Sequence, residues 1–154
     1  MKRIWTPILA TVLAVTAGCN GSSTTGPTGP GPSSGTFTAT VDGVDWTASF
    51  ASAVRQSGVV VLNGSDSAGF SIQVIFSEGS SSPIPIDDTL QANGVVNEGT
   101  GYWDTTMPGG IGTVNVTELT TAEVRGTFSF TTGVAGGETP AVREITNGAF
   151  DVSF

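Results

Sequence analysis

Apolar and polar side chains alternate with a period of two from position 36 onward. The first alternating run ends at Val41, Asp42-Gly43 follows, and a second run extends from Val44 through Trp46 to Phe50. Successive side chains on a β-strand point to opposite faces, and Asp-Gly is a preferred two-residue hairpin turn. This segment therefore predicts a β-hairpin with one apolar and one polar face, and it predicts Trp46 as a core residue.

The same pattern recurs further along the chain. Val59–Leu62 is a short apolar run and predicts a strand that ends at Asn63-Gly64. From Phe70 to Phe76, apolar and polar side chains alternate clearly, which predicts another strand. Ile84 and Ile86 alternate with prolines, which indicates an edge strand because proline cannot donate to a ladder.

The stretch 87–112 is less regular and predicts one or two strands near Val95 and Tyr102, joined by Asn93-Gly94 and Pro108-Gly109-Gly110. The last third alternates again, and its final strand, after Asn147-Gly148, ends the chain on a core residue. About eight to ten short strands with Gly, Asn, Asp and Pro turns predict an all-β fold. An antiparallel β-sandwich is the expected architecture, and a closed β-barrel is the alternative.

Composition excludes several kinds of chemistry. The 154 residues contain no histidine, and Cys19 is the one cysteine. This excludes Ser-His-Asp and Cys-His catalysis, zinc sites built from His and Cys, and a disulfide within the chain. Beyond position 18, three arginines stand against 13 acidic residues, so the net charge there is −10. Because so acidic a body cannot replace the counterions of a phosphate backbone, we expect no nucleic-acid partner.

The amino terminus has the features of a secretory signal peptide. Lys2 and Arg3 precede an uncharged, mostly apolar run at 8–17, too short to span a bilayer. Val15-Thr16-Ala17-Gly18 followed by Cys19 resembles the bacterial lipobox, with Thr16 where that motif most often has leucine. The resemblance implies cleavage between Gly18 and Cys19 and acylation of Cys19, which would anchor the chain in a lipid bilayer. Under the enterobacterial sorting rule, Asn20 indicates the outer membrane.

A tether is predicted between this anchor and the folded domain. Residues 20–35 contain only Gly, Ser, Thr, Pro and Asn, and such a segment cannot bury enough apolar surface to order itself. The sequence thus predicts a signal peptide at 1–18, a lipidated cysteine and tether at 19–35, and a single β domain at 36–154.

Three segments of the β domain resemble a family of small, uncharacterised bacterial β-rich lipoproteins. They are FTATVDGVDWTAS, which begins at Phe37, GTFSF at Gly126–Phe130, and ITNGAFDVSF at the end of the chain. The resemblance implies a lipid-anchored protein of the cell envelope. It carries no activity and no catalytic residues that would transfer to this chain.

Tyr102, Trp103 and Asp104 are the candidate ligand-binding residues. They lie in a Gly-rich stretch, aromatic rings stack on the apolar faces of sugars, and a carboxylate accepts hydrogen bonds from hydroxyl groups. Since neighbours on a strand point to opposite faces, only one of Tyr102 and Trp103 is expected in the core. Packing alone also accounts for both rings.

Two sets of acidic residues offer other chemistry. Asp87-Asp88, with Asp66 or with Asp42 and Asp45, offer oxygen ligands for calcium, but their spacing matches no calcium loop, so turn formation and solubility account for them. Glu98 and Asp104 are formally a pair of carboxylates for glycoside hydrolysis. We predict no catalytic residues, no metal site and no cofactor.

Three hypotheses of function follow from the sequence. The first is a membrane-anchored envelope lipoprotein whose non-catalytic β domain binds a partner or has a structural role. The second is a carbohydrate-binding module that uses Tyr102 and Trp103. The third is a glycoside hydrolase that relies on carboxylates alone.

Overall fold

The computed structural model describes residues 35–87, 89–134 and 138–154. These residues form strands, turns and loops. The strands are β1 (Gly35–Val41), β2 (Val44–Thr47), β3 (Phe50–Gln56), β4 (Val59–Ser65), β5 (Phe70–Ser77), β6 (Ile84–Ile86), β7 (Ala92–Glu98), β8 (Gly101–Asp104), β9 (Ile111–Leu119), β10 (Glu123–Thr131) and β11 (Glu144–Ser153). Within these ranges no helix is long and apolar enough to cross a membrane.

The strands form two antiparallel sheets that pack face to face. The six-stranded sheet has the order β2-β1-β11-β10-β9-β6, and the five-stranded sheet has the order β3-β4-β5-β7-β8. The fold is therefore the predicted antiparallel β-sandwich, and the sheets do not close into the alternative barrel. Pro85 within β6 and Pro83 just before it lie at the edge of the sheet, as predicted, because β6 pairs with β9 on one side only.

The number of described strands exceeds the predicted number because the run from Val44 to Phe50 is divided between the two sheets. The N–H of Ala48 donates to the carbonyl of Phe37 at 2.9 Å, and the next N–H, of Ser49, donates to Ser65 at 2.8 Å in the other sheet. The prediction of one continuous apolar face was therefore wrong at its ends. Val44 is 70% exposed and Phe50 is 47% exposed.

Trp46 lies at the margin of the core, where it is partly buried. Its ring packs edge-on against Phe37 and Phe70, with centroid distances of 6.2 and 5.3 Å. Phe37, completely buried, also packs on Phe128 of its own sheet, with a centroid distance of 5.1 Å, and its ring lies against Gly64 of the other sheet, so that it joins the two sheets. The final strand contributes Phe150 and Val152 to the same core.

Three Asn-Gly pairs lie inside strands rather than at the turns that their composition suggests. Asn63-Gly64 lies within β4, Asn93-Gly94 within β7 and Asn147-Gly148 within β11. Each of these glycines lies beneath a phenylalanine ring, and a Cβ there would come within 2.6 Å of a ring carbon of Phe37, Phe130 or Phe128. These glycines lack a side chain and so permit a close approach of ring and backbone within a strand, without forming a turn.

The hairpin turns that form are at other positions. Asp42-Gly43 has φ angles of 49° and 83°, as a two-residue type I′ turn requires, and its prediction is confirmed. Ser57-Gly58 has the same geometry and joins β3 to β4. β4 continues past its predicted end at Asn63-Gly64 as far as Ser65.

The sandwich has two poles, which lie about 20 Å apart along β1. The N-terminal pole is the end at which β1 begins, with Gly35 paired to Val152. The β9–β10 turn lies there too, and Arg55 of β3 donates to the carbonyl of Thr120 in that turn at 2.8 Å. The distal pole is the opposite end, at the Asp42-Gly43 turn.

Candidate functional site

A groove with a volume of about 350 Å³ opens at the distal pole. It lies between the β1–β2 hairpin of one sheet and the β4–β5 turn of the other. Its apolar lining residues are Val41, Val44, Trp46, Ala68 and Phe70. Its charged lining residues are Asp42, Asp45, Asp66, Glu98 and Arg143. This distal-pole groove thus combines an apolar floor with four carboxylates and one guanidinium.

Asp66 fixes one wall of the distal-pole groove. One carboxylate oxygen accepts a hydrogen bond from the indole N–H of Trp46 at 2.8 Å, and the other accepts from the backbone N–H groups of Ala68 and Phe70 at 2.8 and 3.0 Å. The indole bond, followed by the N–H of Phe70, lowers the pKa of Asp66, because these donors favour the ionised carboxylate. Asp66 therefore holds the β4–β5 turn against the opposite sheet.

Arg143 fixes the other wall. Its guanidinium pairs with Asp42 at 2.7 Å and with Glu98, and it lies over the ring of Trp103 at 4.5 Å from the centroid. Only 12% of the side chain is exposed. Arg143 thereby joins the β1–β2 hairpin, the end of β7 and the ring of a β8 residue.

Asp45 lines the groove from the edge strand β2. It lies exposed on β2, and one of its oxygens accepts a hydrogen bond from the hydroxyl of Thr40 at 3.1 Å. Val44 beside it is the most exposed large apolar residue of those described. Because neighbours on a strand point to opposite faces, the Asp45 carboxylate lies on one face of β2 and the Val44 side chain on the other.

The structure separates the three candidate binding residues on β8. Trp103 is 2% exposed and donates its indole N–H to the carbonyl of Pro140 at 2.8 Å, whereas Tyr102 is 45% exposed on the opposite face. The alternation rule placed one ring in the core and one outside, as found. The buried ring of Trp103 offers no open platform for stacking on a sugar.

Tyr102 and Asp104 form a pair of their own. The phenol hydroxyl donates to the Asp104 carboxylate at 2.6 Å, and the same carboxylate accepts from the N–H of Thr106 at 2.7 Å. This hydrogen bond to a carboxylate, with partial burial, raises the pKa of Tyr102 to about 12. Glu98, the other carboxylate considered for glycoside hydrolysis, is instead paired with Arg143.

The acidic residues considered for calcium lie in separate places. Asp42, Asp45 and Asp66 line the distal-pole groove, whereas Asp87 follows β6 and accepts hydrogen bonds from the N–H and hydroxyl of Thr89. The hydroxyl, followed by the N–H, lowers the pKa of Asp87. Across the described ranges, no three acidic, cysteine or histidine side chains gather as a metal site would require. Asp88, Gly18 and Cys19 lie outside the described residues.

Sequence reasoning missed the central position of Arg143. The available signal was its rarity, because it is one of only three cations beyond position 18 in a strongly acidic chain. Its partners Asp42 and Glu98 lie 101 and 45 residues away, so that no local pattern joins them.

The described geometry defines the class of this protein as an antiparallel β-sandwich domain with an acid-lined groove at one pole. The model of a family described as a domain of unknown function, DUF6252, matches residues 33–152, and the chain belongs to that family. No curated protein and no solved structure matches the chain.

Proposed function

We propose that this chain is a lipid-anchored protein of the bacterial envelope whose β-sandwich is a non-catalytic binding module. The anchor part rests on the lipobox-like sequence that ends at Cys19 and on the polar tether that follows it. The binding part rests on one observation, the distal-pole groove, which leaves an apolar floor and several carboxylates open to solvent.

The engagement of the carboxylates supports a role in binding rather than in catalysis. A glycoside hydrolase needs two carboxyl groups facing one bond, one to donate a proton and one to attack or activate water. Asp104 accepts two hydrogen bonds beside Tyr102, and Glu98 is paired with Arg143. Each of these carboxylates thus has a structural partner.

The position of the groove is consistent with the proposed anchor. The tether joins the described fold at Gly35, at the N-terminal pole, and the groove opens about 20 Å away at the distal pole. A domain held by that tether would present its groove away from the lipid surface and towards a partner.

Metabolic labelling tests the anchor. Cells that express the full chain are given a labelled fatty acid, and the protein is isolated as wild type and as Cys19→Ala. We expect label on the wild type and none on Cys19→Ala, because the thioether forms on that sulfur. Label on both proteins, or on neither, would contradict the anchor.

Thermal melting tests the binding module. A ligand present at 100 times its dissociation constant stabilises the folded state by about 2.7 kcal/mol, which raises the melting temperature by several degrees. The full chain is melted with a glycan panel and with a panel of peptides of differing charge. A shift with any ligand supports the binding module, and the absence of any shift across both panels counts against it.

A second candidate, carbohydrate binding, is favoured by the exposure of Tyr102. Its ring stands on the outer face of β8, and its hydroxyl is held by Asp104. Phe50, which is 47% exposed, provides a matched aromatic control. If Tyr102→Ala removes a glycan-induced shift in melting temperature and Phe50→Ala keeps it, the sugar-binding proposal stands. Equal shifts in both variants would remove Tyr102 from consideration.

A further inference from the structure

We infer that the distal-pole groove receives an extended basic segment of a partner protein, which adds to the open edge of β2 and places a lysine or arginine side chain among the groove carboxylates. This inference deepens the proposed binding function by naming the chemistry of the partner. It rests on the charge of the groove, its apolar floor and the free edge beside it.

The charge of the groove selects a cation. Four carboxylates and one guanidinium line it, so the lining carries a net charge of −3. Arg143 is paired with Asp42 and Glu98. The described hydrogen bonds to Asp45 and Asp66 come from neutral donors. Neighbours on a strand point to opposite faces, so Asp45, bonded to Thr40, lies on the face of β2 opposite Trp46. A cation that enters along the Val44–Trp46 face would meet Asp66, which has no cationic partner among the described residues.

The apolar floor selects a side chain with a long methylene stem. Val44 and Trp46 are two residues apart on β2, so that both side chains lie on the same face of the strand. Lysine and arginine pack their methylene stems along apolar surface and keep the charged end in a polar environment. The groove offers both surfaces together, whereas a simple metal ion would use only the carboxylates.

The open edge of β2 selects an extended backbone. β2 is the outermost strand of its sheet and pairs only with β1 among the described strands. In an antiparallel ladder, residues that exchange hydrogen bonds alternate with residues that do not. The pairing of Val41 with Val44 across the two-residue turn, and the bond from Ala48 to Phe37, set this phase.

With this phase, Asp45 and Thr47 direct their backbone N–H and C=O groups away from β1 and towards the open edge. A peptide strand that pairs with them would extend the six-stranded sheet by one strand. Alternate side chains of that peptide would lie on the same face as Val44 and Trp46, where the groove opens.

Fluorescence anisotropy with three labelled peptides tests the inference on the full chain in a non-ionic detergent. The first peptide alternates lysine and valine, the second replaces lysine with threonine, and the third replaces valine with proline and so lacks half of the backbone donors. We expect the lysine–valine peptide to bind, to weaken as salt is added, and to bind at least about tenfold more tightly than the other two.

Two matched variants locate the site. Val44→Arg places a positive charge at the mouth of the groove, and Val54→Arg places the same charge on β3, where Val54 is 54% exposed. Because both variants change the net charge of the chain equally, a general attraction to an acidic protein would weaken equally in both. We expect Val44→Arg to weaken binding at least about tenfold and Val54→Arg to change it by less than about twofold.

Three results would overturn the inference: no binding of the lysine–valine peptide, equal binding of the threonine–valine peptide, or equal losses in the two variants. Equal binding of the lysine–proline peptide would overturn strand addition. If a glycan raises the melting temperature and the lysine–valine peptide does not bind, the proposed binding module is supported and the basic partner is excluded. Fatty-acid label on both the wild type and Cys19→Ala would contradict the anchor and would leave this inference unaffected.

Discussion

The two poles of the sandwich arrange their charges differently. At the N-terminal pole, Arg55 pairs with Glu78, and Arg125 is surrounded by acidic partners. Those partners are Glu118, Glu123 and Asp151, each with an oxygen 3.0 to 3.1 Å from the guanidinium. At the distal pole, one arginine lies among four groove carboxylates and pairs with two of them, Asp42 and Glu98. Described carboxylates thus outnumber arginines at both poles, four to two at the N-terminal pole and four to one in the distal-pole groove. All four carboxylates at the N-terminal pole have an arginine partner, whereas two of the four in the groove do.

This difference teaches that net charge alone describes the domain poorly. A body of net charge −10 would be repelled by an anionic lipid surface if that charge were uniform. The N-terminal pole, where the proposed tether joins the fold, has its described carboxylates paired with arginine. The larger excess lies at the distal pole, where carboxylates without an arginine partner among the described residues add to the field in the groove and attract cations.

Disruption of the shared core has the largest expected effect, because it would abolish both poles together. Phe37 is completely buried and joins the two sheets through its contact with Gly64. We expect Phe37→Ala to lower the free energy of unfolding by about 3–5 kcal/mol, measured by chemical denaturation. Val44→Ala, at a site 70% exposed, is the control and should unfold with the wild type. Equal stability of both variants would refute the assigned core.

The two arginine networks are compared by removing one cation at each pole. Arg143→Met leaves Asp42 and Glu98 without their partner beside a nearly buried position, and we expect a loss of about 2 kcal/mol in the free energy of unfolding. Arg125→Met removes an exposed network that water screens, and its melting curve should match that of the wild type. The reverse order of stability would invert the comparison between the poles.

Acid titration sharpens the role of Asp66 at the distal pole. Its pKa is lowered in the folded protein, mainly by the indole N–H of Trp46, so its stabilising contribution is present above the ordinary carboxyl pKa of about 3.9. That contribution is lost as the pH falls through the lower folded pKa. We expect the stability gap between wild type and Asp66→Asn to narrow as the pH falls below about 4. A gap that is constant from neutral to acid pH would exclude this linkage.

The smallest expected effect concerns Tyr102, which lies outside the groove. Its pKa is raised to about 12 by the hydrogen bond to Asp104. The neutral phenol is favoured in the folded state, so this contribution to stability is present below the ordinary pKa of about 10 and is lost as the pH rises towards 12.

Ultraviolet absorbance of the phenolate follows this titration, since Tyr102 is the one tyrosine of the chain. We expect Asp104→Asn to return the pKa of Tyr102 towards 10. Asp87→Asn, at a carboxylate that contacts Thr89 instead, is the control and should leave the titration unchanged. An equal pKa in wild type and Asp104→Asn would contradict the pairing.

The period-two pattern predicted the strands and the sandwich because burial on one face of a strand imposes alternation. It failed at Val44–Phe50, where the chain changes sheets within one alternating run, since a change of sheet does not interrupt the pattern. Asn-Gly predicted turns at Gly64 and Gly94 wrongly, because a glycine under an aromatic ring has the same local sequence as a glycine in a turn.

Local sequence patterns could not predict the distal-pole groove either. Asp42, Asp66 and Arg143 come from three distant parts of the chain, and only the packing of the two sheets brings them together. Sequence did indicate the individual polar residues and the scarcity of cations. The anchor prediction at Cys19 concerns residues outside the described fold and stays a prediction.

The most direct measurement of the binding account is nuclear magnetic resonance of the indole N–H groups during titration with the lysine–valine peptide. Trp46 lies in the groove and bonds Asp66, whereas the indole of Trp103 is buried against Pro140. We predict that the Trp46 resonance shifts with peptide concentration and saturates while that of Trp103 stays in place. A peptide that binds without moving the Trp46 resonance, or that moves both resonances equally, would contradict a binding site at the distal pole.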